Sequence, residues 1–172
     1  WNTYDLFVAL GAAAAATTSL RVGSGICLIA QRDPIITAKE VATIDMLTGG
    51  RFELGIGTGW PSTSATGQSD NGQLGLPLDE PGPRVSRLGE SLRIIKQFME
   101  ATEPFDFEGK QYSLKRINPT PSAVQKPHPP IMLAGAGPRM LRLGAREADI
   151  INIAPRPPTV GPTAVGSMGY GL

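Results

Sequence analysis

The sequence predicts an α/β protein built on a parallel sheet, and two observations support this prediction. Short runs of apolar and β-branched residues alternate with longer amphipathic stretches, as they do in successive βαβ units. No hairpin signal separates the candidate strands, so we expect all of them to run in the same direction. The strands are predicted over residues 20–29, 52–58, 131–134 and 150–153.

Helices are predicted between these strands. The first has a marked start and end, because Asp33 can cap it, Pro34 suits its first position and Gly49 stops it. Its apolar face is expected to hold Ala38, Val41, Ile44 and Leu47. A second helix carries an apolar stripe at spacings of three and four residues, formed by Val85, Leu88, Leu92, Ile95 and Met99. A third begins at Pro138.

Two long segments interrupt this alternation. Residues 59–83 are rich in Gly, Pro, Ser and Thr, and residues 104–130 are rich in proline. In parallel βα folds the functional loops follow the carboxyl ends of strands. We therefore predict that loop 59–83, which follows a strand, lies on the functional side. Segment 104–130 follows a helix and is predicted to pack as scaffold.

Composition bounds the class of protein. A chain of 172 residues with 41% hydrophobic residues and a formal net charge of +1 has the balance of one soluble globular domain and gives no sign of nucleic-acid binding. The apolar stretch 6–16 is shorter than the roughly 20 residues that a membrane-spanning helix needs. It also lacks the basic residues that precede a secretory signal. We expect a cytoplasmic protein with neither a nucleic-acid nor a membrane partner.

Groups for acid–base or metal chemistry are scarce. The only cysteine, Cys27, excludes an internal disulfide and is expected to be a buried apolar residue. The only histidine, His128, stands between prolines and is expected at the surface or in packing. Asp33 is better used as a cap, and Asp45 lies within a predicted helix. Such a chain fits an enzyme whose cofactor brings the reactivity.

Glycines cluster where the predicted strands end, at 23–25, 55–59 and 135–137. They indicate either tight strand-to-helix turns or the close approach of a ligand. A dinucleotide-binding G-x-G-x-x-G motif is excluded, because its last position would be Trp60 or Met140. The loop 135–137 leads into the helix at Pro138, and a helix N-terminus suits a phosphate group.

Residues 17–60, TTSLRVGSGICLIAQRDPIITAKEVATIDMLTGGRFELGIGTGW, closely resemble strands 3 to 4 of luciferase-like monooxygenases and their deazaflavin-dependent relatives. The blocks LPLDEPGPRVSRLGESLRIIKQF, FEGKQYSL and VQKPHPPIMLAGAGPRMLRLGAREADIINIAP continue the match in the same order. The resemblance implies a partial TIM (β/α)8 barrel with parallel strands, in which residues 1–154 supply strands 3 to 6. Because the chain begins with Trp1 and residues 155–172 are rich in Pro and Gly, we expect an internal fragment with a disordered or aberrant tail.

The resemblance also implies which residues hold the cofactor. A non-prolyl cis peptide bond between Gly25 and Ile26 would support the tricyclic ring from behind. Thr58 and Gly59 would line the ring, and the following Trp60 is predicted either to contact the ring or substrate or to pack within the loop. The phosphate would be held by a loop of three residues, namely Gly135, Ala136 and Gly137. No catalytic residue is assigned.

The family includes two kinds of chemistry. We expect hydride transfer between reduced coenzyme F420, an 8-hydroxy-5-deazaflavin, and a small organic substrate. The alternative is a two-component monooxygenase in which reduced FMN activates oxygen. A third hypothesis is that the chain is a truncated, non-catalytic piece of such an enzyme. Because relatives are commonly dimers, the complete protein is expected to be a homodimer.

Overall fold

The computed structural model describes residues 4–59, 75 and 79–153. Trp60, most of the predicted loop 59–83 and the predicted tail 155–172 lie outside the described residues. The elements follow one another along the chain: helix α1 (Leu6–Ala15), strand β1 (Val22–Gly23), strand β2 (Cys27–Leu28), a 3-10 turn (Ile29–Gln31), helix α2 (Pro34–Thr48), strand β3 (Phe52–Gly57), helix α3 (Pro81–Glu100), strand β4 (Phe105–Glu108), strand β5 (Ser113–Ile117), strand β6 (Ile131–Ala134), helix α4 (Pro138–Glu147) and strand β7 (Ile150–Asn152).

The main sheet is parallel, in the order β1, β3, β6, β7, with β2 pairing β3 beyond the end of β1. The predicted parallel α/β fold is therefore confirmed. The predicted strand 20–29 is divided into β1 and β2, and the division shapes the site described below.

Side chains alternate between the two faces of β3. Phe52, Leu54 and Ile56 are at most 1% exposed and pack in one core with the helices. Gly55 and Gly57 therefore belong to the opposite face, away from the helices. Gly55 and Gly57 are themselves buried, because the segment between β1 and β2 packs against this second face.

Helix α2 begins and ends as predicted. The Asp33 side chain accepts hydrogen bonds from the backbone N–H groups of Ile35 and Ile36, and Gly49 ends the helix in the left-handed conformation, with φ 64°. The predicted burial of Leu47 is wrong, because its side chain is 74% exposed. A spacing of three residues falls behind the helical turn by about 60° at each step. After three such steps from the buried Ala38, the chain reaches the opposite side of the helix.

Two elements lie where the sequence predicted neither a helix nor a strand. Residues 6–15 form helix α1, whose N-cap Asp5 accepts from the backbone N–H groups of Phe7 and Val8. No strand was predicted in segment 104–130, but β4 and β5 form an antiparallel hairpin there. The turn of this hairpin is held by the buried Glu90 of α3, which accepts from the N–H groups of Lys110, Gln111 and Tyr112.

At the last strand the apolar side chains are only partly covered. Ile150, Ile151 and Ile153 are 42%, 38% and 63% exposed. None of the described helices is both long enough and apolar enough to cross a membrane.

Candidate cofactor site

A β-bulge separates β1 from β2. Strand β1 ends with Gly23 paired to Glu53, and β2 begins with Cys27 paired to Ile56. The segment Ser24–Ile26 thus has three residues where β3 has two between its paired positions. An extra residue of this kind pushes the chain out of the sheet and re-aims the residues beside it.

Ser24 joins the bulge to β3. Its hydroxyl donates to the carbonyl oxygen of Gly55 at 2.7 Å and accepts from the N–H of the same residue at 2.9 Å. The backbone N–H of Ser24 donates to the carbonyl oxygen of Glu53 at 3.2 Å. Ser24 is 2% exposed, so these bonds are shielded from water. A side chain thus replaces the regular strand pairing at this level of the sheet.

Two glycines of β3 make room for the bulge. A Cβ at Gly55 would lie 1.9 Å from the carbonyl oxygen of Ser24, and a Cβ at Gly57 would lie 2.5 Å from Cδ1 of Ile26. The sequence left open whether the strand-end glycines mark tight turns or a ligand. At these two positions the group that approaches closely is the neighbouring segment of the same chain.

The outer surface of the bulge is open. The Gly25–Ile26 peptide bond is cis, as the resemblance implies. Gly25 is exposed, and a Cβ there would meet none of the described residues within 4 Å. The backbone at Gly25 is therefore uncovered within the described part of the chain.

Thr58 and Gly59 directly follow β3, at its carboxyl end. Gly59 has a φ of 81°, a conformation that suits glycine, and a Cβ there would be 3.8 Å from a methyl carbon of Leu28. The two residues thus lie beside the end of β2, next to the bulge. The structure brings them to the same end of the sheet as Gly25 and Ile26.

The glycine loop lies beyond the neighbouring strand. Gly135 follows β6, and Gly137 is the N-cap residue of α4. The N–H of Gly135 donates to the carbonyl oxygen of Asn152 at 3.0 Å. This amide is therefore used in the pairing of β6 with β7. Ala136 and Gly137 are exposed, and a Cβ at Gly137 would meet nothing within 4 Å. The loop is thus open to an anion at its helical end.

The first turn of α4 holds the N-terminal donors that the sequence predicts for a phosphate. The first intrahelical bond there runs from the N–H of Leu141 to the carbonyl oxygen of Gly137, at 2.9 Å. Backbone N–H groups before Leu141 precede the helical ladder, and Pro138 has none to offer. The amides of Arg139 and Met140 are therefore candidates for the same anion as Gly137.

The single cysteine and the single histidine both have packing roles. Cys27 is buried, as expected, and burial raises the pKa of its thiol to about 12, which keeps it neutral. Nδ1 of His128 lies 3.0 Å from the carbonyl oxygen of Pro129, just before β6 begins, in agreement with the expected packing role. Within the described ranges, no group of three or more His, Cys, Asp or Glu side chains could hold a metal ion.

Several known proteins are similar in sequence to this chain. An uncharacterised protein of Mycobacterium tuberculosis is 34% identical over 137 residues, which are 79% of this chain and 44% of that protein. The 5,10-methylenetetrahydromethanopterin reductase of Methanopyrus kandleri is 29% identical over 161 residues, 87% of this chain and 44% of the reductase. The FMNH(2)-dependent dimethylsulfone monooxygenase of Pseudomonas putida is 29% identical over 148 residues, 86% of this chain and 39% of that enzyme. The chain thus spans less than half the length of these relatives.

The fold is also similar to that of a solved structure. The coenzyme F420 dependent tetrahydromethanopterin reductase from Methanopyrus kandleri matches with a TM-score of 0.75 and 27% identity, over 88% of this chain and 45% of the reductase. The predicted partial barrel is thereby confirmed. The family described as luciferase-like monooxygenase matches residues 1–164, and the chain therefore belongs to the luciferase-like monooxygenase family.

Proposed function

We propose that the complete enzyme transfers hydride between coenzyme F420 and a small organic substrate. The observation that carries the proposal is the open bulge at Gly25 and Ile26, which offers uncovered backbone to a flat ring. Thr58 and Gly135 follow neighbouring parallel strands, so the carboxyl ends of β3 and β6 lie side by side. Ligands of open parallel sheets bind beyond such carboxyl ends.

Each end of the cofactor has residues that suit it. Gly25 and Ile26 would support the ring, and Thr58 and Gly59 would line it. Gly135 would shape the phosphate loop, while the amides of Ala136, Gly137 and the first turn of α4 would meet the phosphate. When bound, the reduced deazaflavin would supply the hydride, and Gly25, Ile26, Thr58 and Gly59 would orient its ring. Trp60 is proposed to contact the ring or the substrate.

Reduced FMN is the second candidate cofactor. It is favoured by the similarity to the Pseudomonas putida monooxygenase, whose name states FMNH2 dependence. The similarity to the Methanopyrus kandleri reductase, found in both sequence and structure, favours F420. The two candidates differ in oxygen dependence, because only a monooxygenase consumes molecular oxygen.

A binding titration tests the proposal. F420 and FMN are added separately to wild-type protein, to Gly25→Ala and to Gly11→Ala, and binding is followed by cofactor fluorescence. A Cβ meets nothing within 4 Å at either glycine, so both variants should fold. Gly25→Ala places a methyl group where the ring would lie and should weaken F420 binding at least about tenfold, or roughly 1.4 kcal/mol. Gly11→Ala, in α1, should bind as the wild type does.

A chimaera extends the test to activity. Residues 4–153 would replace the matching stretch of the Methanopyrus kandleri reductase, and oxidation of reduced F420 would be followed without oxygen. Oxygen-independent oxidation supports the proposal, whereas tighter binding of FMN with oxygen consumption supports the monooxygenase. Failure of both cofactors to bind either protein would contradict both functions.

We further propose that the complete enzyme is a cytoplasmic homodimer. Analytical ultracentrifugation of the complete enzyme would show the dimer directly, and a monomer at micromolar concentration would contradict it.

A further inference from the structure

We infer that Ser24 is a positioning residue, whose buried hydroxyl fixes the bulge that presents Gly25 and Ile26 to the ring of the bound cofactor. The identity of that ligand rests on the proposed function. The positioning itself rests on the contacts between the bulge and β3.

The hydroxyl of Ser24 is bonded to both backbone polar groups of Gly55. A serine hydroxyl has one donor and two acceptor lone pairs, and here it uses both kinds, toward the carbonyl oxygen and the N–H of Gly55. Alanine at position 24 would leave both backbone groups without this partner in a site that is closed to water. The hydroxyl therefore fixes the position of the bulge relative to β3.

The backbones of Ser24 and Gly55 also approach each other closely. The carbonyl oxygen of Ser24 occupies the space that a Cβ of residue 55 would need, at 1.9 Å from its ideal position. The N–H of Ser24 is also fixed, through its bond to Glu53. Since Gly25 is the next residue, any movement of Ser24 is transmitted directly to the surface where the ring would lie.

A second serine supplies the matched control. Ser91 in α3 is 0% exposed, and its hydroxyl donates to the carbonyl oxygen of Arg87 at 2.9 Å. Its other contact is the hydroxyl of Tyr112 in the hairpin, at 3.3 Å. Ser91→Ala removes the same atom from an equally buried place, but its contacts lie with α3 and the hairpin and not with the bulge.

The first measurement needs no cofactor. Amide hydrogen exchange is compared at Gly55 and at Leu54, whose N–H donates to the carbonyl oxygen of Pro130 at 2.9 Å. In Ser24→Ala the ratio of the Gly55 rate to the Leu54 rate should rise at least about tenfold, because only Gly55 loses its acceptor. A general loss of stability would raise both rates and leave the ratio unchanged. Ser91→Ala should also leave it unchanged.

The second measurement is the dissociation constant for F420, taken by fluorescence titration. Ser24→Ala should bind about tenfold more weakly than wild type, and Ser91→Ala should bind equally well. Ser24→Cys keeps the shape of the side chain but bonds weakly, so it should lie between wild type and alanine in both measurements. Should Ser24→Ala not fold, the cysteine variant carries the comparison.

The outcomes separate the two proposals. An unchanged exchange ratio in Ser24→Ala, or in Ser24→Cys if alanine does not fold, overturns the positioning role whatever the cofactor. A raised ratio with unchanged F420 affinity overturns its link to the ring. If wild-type protein binds neither F420 nor FMN, the proposed function and that link both fail, while the exchange ratio still decides whether Ser24 fixes the bulge.

Discussion

The two ends of the parallel sheet are built in opposite ways. At the amino end, the buried carboxyl group of Asp45 accepts from the N–H groups of Val124 and Gln125, at 2.8 and 2.9 Å. It also accepts from the side-chain amide of Gln125, which in turn donates to the carbonyl oxygen of Phe52 at 2.7 Å. Nearby, the guanidinium of Arg51 donates to the carbonyl oxygens of Ala14 and of Thr17.

Toward the carboxyl end, glycines and one hydroxyl group take the place of these charged groups. Gly55 and Gly57 leave room for the bulge, and Ser24 fastens it. The amino end, where no ligand is proposed, is held together by charged side chains that each make several hydrogen bonds. At the carboxyl end, where the cofactor is proposed to bind, the bulge exposes the backbone of Gly25. This division agrees with the general separation of stability and function between the two ends of a barrel.

Gly55→Ala should have the largest effect. Its Cβ would collide with a backbone oxygen, which cannot turn away as the end of a side chain can. We expect a loss of at least about 3 kcal/mol in the free energy of unfolding, measured by urea denaturation. Gly25→Ala, with nothing near its Cβ, should lose much less. Equal stability of the two variants would show that the bulge is not packed as described.

Asp45→Asn tests the amino end. An amide has only one acceptor oxygen, so at least one donor among the Val124, Gln125 and side-chain N–H groups loses its partner. The unfolding free energy should fall by about 2 kcal/mol, with cofactor affinity unchanged. The same change at the N-cap, Asp33→Asn, should cost less than about 0.5 kcal/mol, because asparagine caps equally well. A loss of cofactor affinity in Asp45→Asn would erase the contrast between the two ends.

Gly57→Ala should have a smaller effect than Gly55→Ala. Its Cβ would meet Cδ1 of Ile26, the far end of a flexible side chain, so we expect a loss of about 1 to 2 kcal/mol. Ile26→Val removes that carbon and should recover part of the loss in the double variant. Urea denaturation of the four proteins of this cycle gives the coupling, about 1 kcal/mol. Additive effects would indicate that the two residues do not touch.

The smallest predicted effect concerns a charged contact outside the bulge. The backbone N–H of Val8 and the nearby Arg32 hold the pKa of Asp5 below its ordinary value of 3.8. Its stabilisation should be complete above that value and disappear as the pH falls below it. Asp5→Ala should cost about 1 kcal/mol at pH 7, since the group is half-exposed and mainly a cap. The difference from wild type, measured by denaturation, should shrink at pH 3; a constant difference would refute the assignment.

Most of the fold could be predicted because its signals are local. Asp33 and Gly49 bound α2 through contacts within a few residues, and the alternation in β3 sorts its residues between two faces. The β4–β5 hairpin was missed because its turn depends on Glu90, a residue of another element. The burial of Leu47 was wrong because three-residue spacing does not follow a helix over several turns.

The site was less predictable than the fold. Gly25 and Ile26 were identified through the family resemblance, since a glycine pair around a serine looks like an ordinary turn. The role of Ser24 depends on register, which places it opposite a residue 31 positions away. Nothing in the local sequence shows that register, so the interpretation of Gly55 as part of a turn or a ligand surface could not be resolved without the structure.

The close approach of Ser24 to Gly55 also has an evolutionary consequence. As long as the carbonyl oxygen of residue 24 occupies the space beside position 55, selection can accept only glycine there. A lineage that loses the extra residue of the bulge would release position 55 to larger side chains. Glycine at position 55 and the extra residue of the bulge should therefore be kept or lost together.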